Sequence, residues 1–187
     1  MTEIYPSYKS SKNDLRLYGE KTVTLFLKHN DIKRPPLYIK DDLKSFGLFL
    51  NKTVYINLKK TRVCVKVPGF SWSHTGYKAD LTYPGVLAHE IGHYVDSIKR
   101  CSYNITWRNI IKKESAVSSY EPNPSEAFAE AMKLYILNPN LLKIGRPLRY
   151  KFMNDMNIQP LHDISWKIIL QNAHPKLITA ANNWCNK

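Results

Sequence analysis

The stretch VLAHEIGHYVD, residues 86–96, places His89 and His93 four positions apart with Glu90 directly after the first histidine. In a helix, residues i and i+4 lie about 40° apart on one face, so two imidazole nitrogens can converge on a single point. Glu90, offset from His89 by about 100°, reaches the side of that point instead of competing to bind there. Two neutral imidazoles hold zinc, and the carboxylate beside them takes a proton from a water that the metal polarises; this is the chemistry of metal-assisted hydrolysis. The same triplet also fits a half-buried helix whose two histidines are merely hydrogen-bonded. The rest of the chain must supply what else a metal site needs.

A catalytic zinc takes a third protein ligand and keeps one position open. A histidine six residues after the second, with a glycine between, is one source, but Asp96 and Lys99 occupy those places and exclude it. The other common source is a glutamate on a later helix. SEAFAEA, residues 125–131, offers Glu126 and Glu130 at i, i+4 on one face. Glu126 would bind the metal, and Glu130, one turn on, would accept a hydrogen bond from a histidine N–H and fix its tautomer. A competing use exists for Glu126: in NPSE, Asn123 is a helix N-cap, Pro124 the first helical residue and Glu126 the third, which is a capping-box pattern. Asp96, three residues after His93, is either a further acceptor for a ring N–H or a surface charge. Acyl transfer also requires a donor to the developing oxyanion. Tyr120, in the loop before Glu126, leads here, with Tyr94 and Tyr103 as alternatives.

HEIGHYVD, a tyrosine-containing loop and then SEAFAEAMKLY together resemble the catalytic domain of anthrax-lethal-factor-like zinc metallopeptidases, a group that includes clostridial Pro-Pro endopeptidases. Their pattern is HE-[FI]-G-H-x-[VI]-D, then a tyrosine, then E-x-F-A-E-A-[FM]. The resemblance covers residues 86–137. It implies a zincin-like fold with His89, His93 and Glu126 as zinc ligands, Glu90 as general base, Tyr120 as the transition-state donor and Glu130 as the carboxylate behind the ligands. The family tyrosine usually lies seven residues before the ligand glutamate; position 119 here is serine, so Tyr120 matches with a loop one residue shorter. The substrate implied is a protein or peptide, lying extended along an exposed strand edge and pairing through its backbone.

Around these residues the chain reads as α+β, with a small N-terminal sheet and helices followed by a mainly helical C-terminal half. Residues 12–29 form a helix with Leu15, Tyr18, Leu25 and Phe26 near one face. RPP precludes its continuation, and LYIK is a short strand. TVYINL (53–58) and RVCVKV (62–67) are rich in β-branched residues and, joined by KKT, read as a hairpin or as neighbouring strands. Either is the expected substrate edge. The loop PGFSWSHTG (68–76) could wall the cleft with Trp72 and His74, although a packed aromatic and an exposed histidine are the simpler account. A helix covers about 83–99, with Asp80 or Thr82 as N-cap and Pro84 in its first turn. Others follow at 106–116 and 125–137, with shorter ones near 161–173 and 175–184.

A chain of 187 residues with 43% hydrophobic and 12% aromatic residues suits one folded domain across residues 1–187 and excludes extensive disorder. Three widely spaced cysteines form no C-x-x-C pair, which argues against a zinc ribbon or a disulfide framework. No apolar run is long enough to span a membrane. The first residues lack the apolar core of a secretory signal, so a cytoplasmic protein is expected; since secreted members of the family it resembles carry signal peptides, the resemblance then implies an intracellular relative of phage or mobile-element origin. The net charge of +13 could attract an acidic partner or nucleic acid. Residues after Glu130 hold eight Lys/Arg against two Asp, with Tyr150, Phe152 and Trp166 interspersed. Two rival readings follow: a basic nucleic-acid-associated protein, or a catalytically inactive binding protein with the same fold.

Overall fold

The structure, a computed structural model, describes residues 11–63 and 79–161. Its fold is α+β: six α-helices and one three-stranded sheet among the described residues. Helix α1 (Lys12–His29) starts at a capping box in which Ser11 and Asp14 satisfy each other's backbone N–H groups. Its buried face is Leu15, Gly19, Val23, Phe26 and Leu27, whereas Leu25 points toward solvent. Strand β1 (Leu37–Ile39) follows the prolines.

Strands β2 (Gly47–Leu50) and β3 (Thr53–Ile56) form the hairpin. It is closed by Asn51 and Lys52, both at positive φ (50° and 59°), as a two-residue turn with the right-handed twist of the strands requires. The expected hairpin through KKT is therefore incorrect. Lys60 and Thr61 instead close a turn on Asn57, from which Arg62 runs beside Thr82 in a single parallel bridge. Residues 64–67 of the expected second strand lie outside the described residues, as do Trp72, His74 and the helices expected at 161–173 and 175–184 beyond Leu161. The strand order is β1-β3-β2, with β1 parallel and β2 antiparallel to β3. Residues 53–56 are thus the central strand and cannot serve as the substrate edge.

Helix α2 (Tyr83–Lys99) is the hub. Thr82 is its N-cap, and the buried Asp80 accepts hydrogen bonds from the Thr82 N–H and hydroxyl, so the two candidate cap residues act in series. Almost every residue from Tyr83 to Asp96 is buried, because the sheet, α1 and α4 pack around it. Helix α3 (Ile105–Lys113) ends three residues earlier than expected. Glu114 leaves it to accept the Leu148 and Arg149 N–H groups. Helix α4 (Pro124–Leu137) is buried from Ala127 to Leu137, and α5 (Pro139–Gly145) and α6 (Pro147–Asp155) complete the described fold. No helix among the described residues is long and apolar enough to cross a membrane.

The α2–α4 contact is the most extensive between helices. At its centre Gly92 meets Ala129 so closely that a Cβ on Gly92 would stand 2.7 Å from the Ala129 Cα. This crossing sets the two pairs His89/His93 and Glu126/Glu130 opposite each other. Gly92→Ala gains about 1 kcal/mol of helix propensity but overpacks a backbone contact, at about 1–3 kcal/mol. Denaturant melts in a chelator are expected to show net destabilisation; a variant as stable as the wild type would mean that the helices do not need this approach.

Candidate metal centre

The crossing brings three donor atoms together. His89 Nε2 lies 3.1 Å from His93 Nε2 and 3.1 Å from Glu126 Oε2, and the third side of the triangle, His93 Nε2 to Glu126 Oε2, is 3.3 Å. These three residues are the group among those described that could hold a metal ion. Capping of α4 falls to Asn123, whose side chain accepts from the Ser125 and Glu126 N–H groups. The Glu126 carboxylate lies against the histidines instead, with Oε2 buried and lacking a well-aligned hydrogen bond.

Each histidine is held from behind. Glu130, 2% exposed, places Oε1 2.7 Å from His89 Nδ1, while its other oxygen receives the Ser118 hydroxyl and the Lys133 ammonium. With Nδ1 donating to a carboxylate, Nε2 is the nitrogen that faces the triangle, and loss of its proton frees a lone pair aimed there. His93 is served differently. Its Nδ1 is 3.4 Å from the Ser125 hydroxyl, which donates to Asp96 Oδ2 at 3.2 Å. Asp96 is itself fixed by the Ser102 N–H and hydroxyl at 2.7 and 2.6 Å. Asp96 therefore reaches His93 through Ser125, and is neither a direct acceptor nor a surface charge. Ser118, Ser125 and Lys133 escaped sequence reasoning because only the fold brings them to the histidines.

Burial opposes charge on His89, but Glu126 and Glu130 outweigh it and hold the imidazole pKa up to about 9. Burial likewise opposes charge on Glu126, yet the two imidazoles bring its carboxyl down to about 2. Glu90, 7% exposed, is pushed above the usual carboxylate range by burial, with Glu126 adding to this and both histidines opposing it. Its carboxylate accepts the Phe49 N–H of β2. The strand approaches so closely that a Cβ on Gly47 would come 2.5 Å from Glu90 Oε1.

Tyr120 lies beside the triangle. Its ring centroid is 5.8 Å from that of His89, it is half exposed, and Glu126, then burial, raises its pKa, which keeps the phenol a donor. The alternatives are placed elsewhere: the Tyr94 hydroxyl donates to the Lys33 carbonyl and Tyr103 faces solvent. Among the described residues, the basic side chains after Glu130 are less available than composition suggests. Lys133, Arg146 and Arg149 are buried, with Arg149 paired to Glu121 and Arg146 donating to the Ser115 and Ala116 carbonyls. Phe152 belongs to the core, and Trp166 lies outside the described residues.

A cation entering the triangle must displace the proton that His89 carries below pH 9. Affinity for a divalent cation is therefore expected to rise with pH, by up to about tenfold per unit between pH 6 and 8. Chelator-competition titrations check this, and pH-independent affinity would contradict the protonation described.

No protein-family model, curated protein or solved structure matches this chain.

Proposed function

We propose that the chain is a zinc-dependent endopeptidase of the type with two histidines and a later glutamate as ligands, as its resemblance to lethal-factor-like metallopeptidases implies. The observation that carries this reading is the triangle of His89 Nε2, His93 Nε2 and Glu126 Oε2 with the Glu90 carboxylate buried alongside. Ligands about 2.0–2.1 Å from a tetrahedral zinc stand about 3.3 Å apart, close to the separations found. Two imidazoles and one carboxylate form a donor set that zinc accepts, and three protein ligands leave a fourth position open. Bound zinc would supply Lewis-acid polarisation of a carbonyl and a water more acidic than bulk.

The chain's own groups account for the remaining steps. Glu90, with its raised pKa, takes a proton from the attacking water and returns it to the leaving amine. Phe49 N–H holds that carboxylate in place. Tyr120, protonated, donates to the oxyanion that forms as the carbonyl is attacked. The substrate edge falls to β2. Phe46 and Asn57 are a hydrogen-bonded pair, so alternation turns the backbone groups of Gly47 and Phe49 away from β3, toward the sheet edge beside Glu90. An extended peptide entering there would present its carbonyl to Glu90 and the metal.

The test is cleavage of a broad peptide library by zinc-loaded protein. Glu90→Gln should keep its zinc and lose activity by about 10²–10⁴-fold. Equal cleavage by wild type and variant removes Glu90 from the chemistry, and zinc binding with no cleavage by either favours an inactive binding protein. Gly47→Ala, which displaces the Glu90 carboxylate without touching a ligand, should lower kcat while leaving zinc affinity unchanged; full activity would show that β2 does not position the base.

A further inference from the structure

Lys133 is the most deeply buried lysine among the described residues, 1% exposed in the middle of α4. A buried ammonium is costly unless paired, and nothing in the proposed chemistry uses it. Its Nζ lies 2.5 Å from Glu130 Oε2, one helical turn back on the same helix. The other oxygen of that carboxylate faces His89 Nδ1 at 2.7 Å. The Ser118 hydroxyl, from the loop that carries Tyr120, donates to the same Oε2 as the lysine. Two donors on one oxygen fix the carboxylate plane and leave Oε1 for His89.

We propose that Lys133 is a positioning residue for the metal centre, acting through Glu130 to orient His89. The ammonium makes it possible to keep a carboxylate buried behind the ligand: without that charge, Glu130 would be an anion in the core stripped of the cation on its Oε2. It would then reorient, and His89 would lose the partner that aims Nε2. The buried Asp80, at the entry to α2, also lies within electrostatic reach of Lys133, so the same cation ties the start of the zinc helix to α4. The inference rests on the metal-site reading above.

The experiment titrates the full-length, zinc-stripped chain with Zn²⁺ against a chromophoric chelator. Lys133→Met, which keeps the length and apolar stem of the side chain, should weaken zinc binding about 10- to 100-fold, the usual cost of losing a partner behind a ligand. Glu130→Gln should weaken it comparably. Since Lys133 acts through Glu130, the double variant should bind zinc as Glu130→Gln does, within twofold. Wild-type affinity in folded Lys133→Met, or a further loss in the double variant, overturns the inference. Should Lys133→Met not fold in chelator, the comparison of Glu130→Gln with the double variant, which removes both members of the Lys133–Glu130 pair, decides in the same terms. A wild-type chain that binds no zinc defeats the metal reading itself, a result distinguishable from either.

Discussion

The close approach of α2 and α4 at Gly92 and Ala129 is the constraint on which the site depends. Gly92 sits between the two histidines on one helix, and Ala129 sits between the two glutamates on the other. Because both pairs are spaced i, i+4, one crossing point registers all four side chains at once. A larger residue at either position would push the helices apart, and the donor triangle would open even though every donor residue remained. The remaining elements support this crossing: α1 and the sheet cover the other faces of α2, while α5 and α6 pack behind α4.

The electrostatics follow from the same geometry. Two imidazoles and three carboxylates share a largely buried volume, and burial alone would drive His89, Glu90 and Glu126 toward their neutral forms. Mutual pairing reverses this for His89 and Glu126, whereas Glu90 remains shifted upward. The groups that could hold a cation are thus held in charged contact, and the carboxylate beside them is made more basic. The two histidines are oriented by separate systems, a direct carboxylate for His89 and a serine-bridged one for His93. These draw on different loops, so the site gathers its supports from α2, α4, the segment 101–103 and the segment 114–121.

What could be read from the sequence was what helical periodicity encodes. His89, Glu90, His93, Glu126 and Glu130 are placed by spacing within two helices, and the structure brings all five together. Residue type marks Asn123 as a cap and narrows the start of α2 to Asp80 or Thr82, of which Thr82 is the cap. The hairpin was misplaced because its turn, Asn51–Lys52, lacks the glycine that marks such turns, while KKT separates two β-branched runs and mimics one. Gly47 gave no signal of its own: its role is to admit Glu90, a contact with a residue more than forty positions away. Ser125 and Lys133 were hidden for the same reason, since each lies on α4 but acts on a histidine of α2. The short helices α5 and α6 carry little amphipathic pattern, and proline with an asparagine or arginine cap begins each.

Metal content is the most direct measure of the central claim. Full-length protein, stripped and then equilibrated with zinc, is expected to retain one zinc per chain by elemental analysis after gel filtration. Glu126→Ala, which removes the oxygen corner of the triangle, is expected to retain little or none. A wild-type chain that holds no zinc, or a Glu126→Ala chain that holds it with unchanged affinity, would contradict the assignment of these three residues as a metal centre.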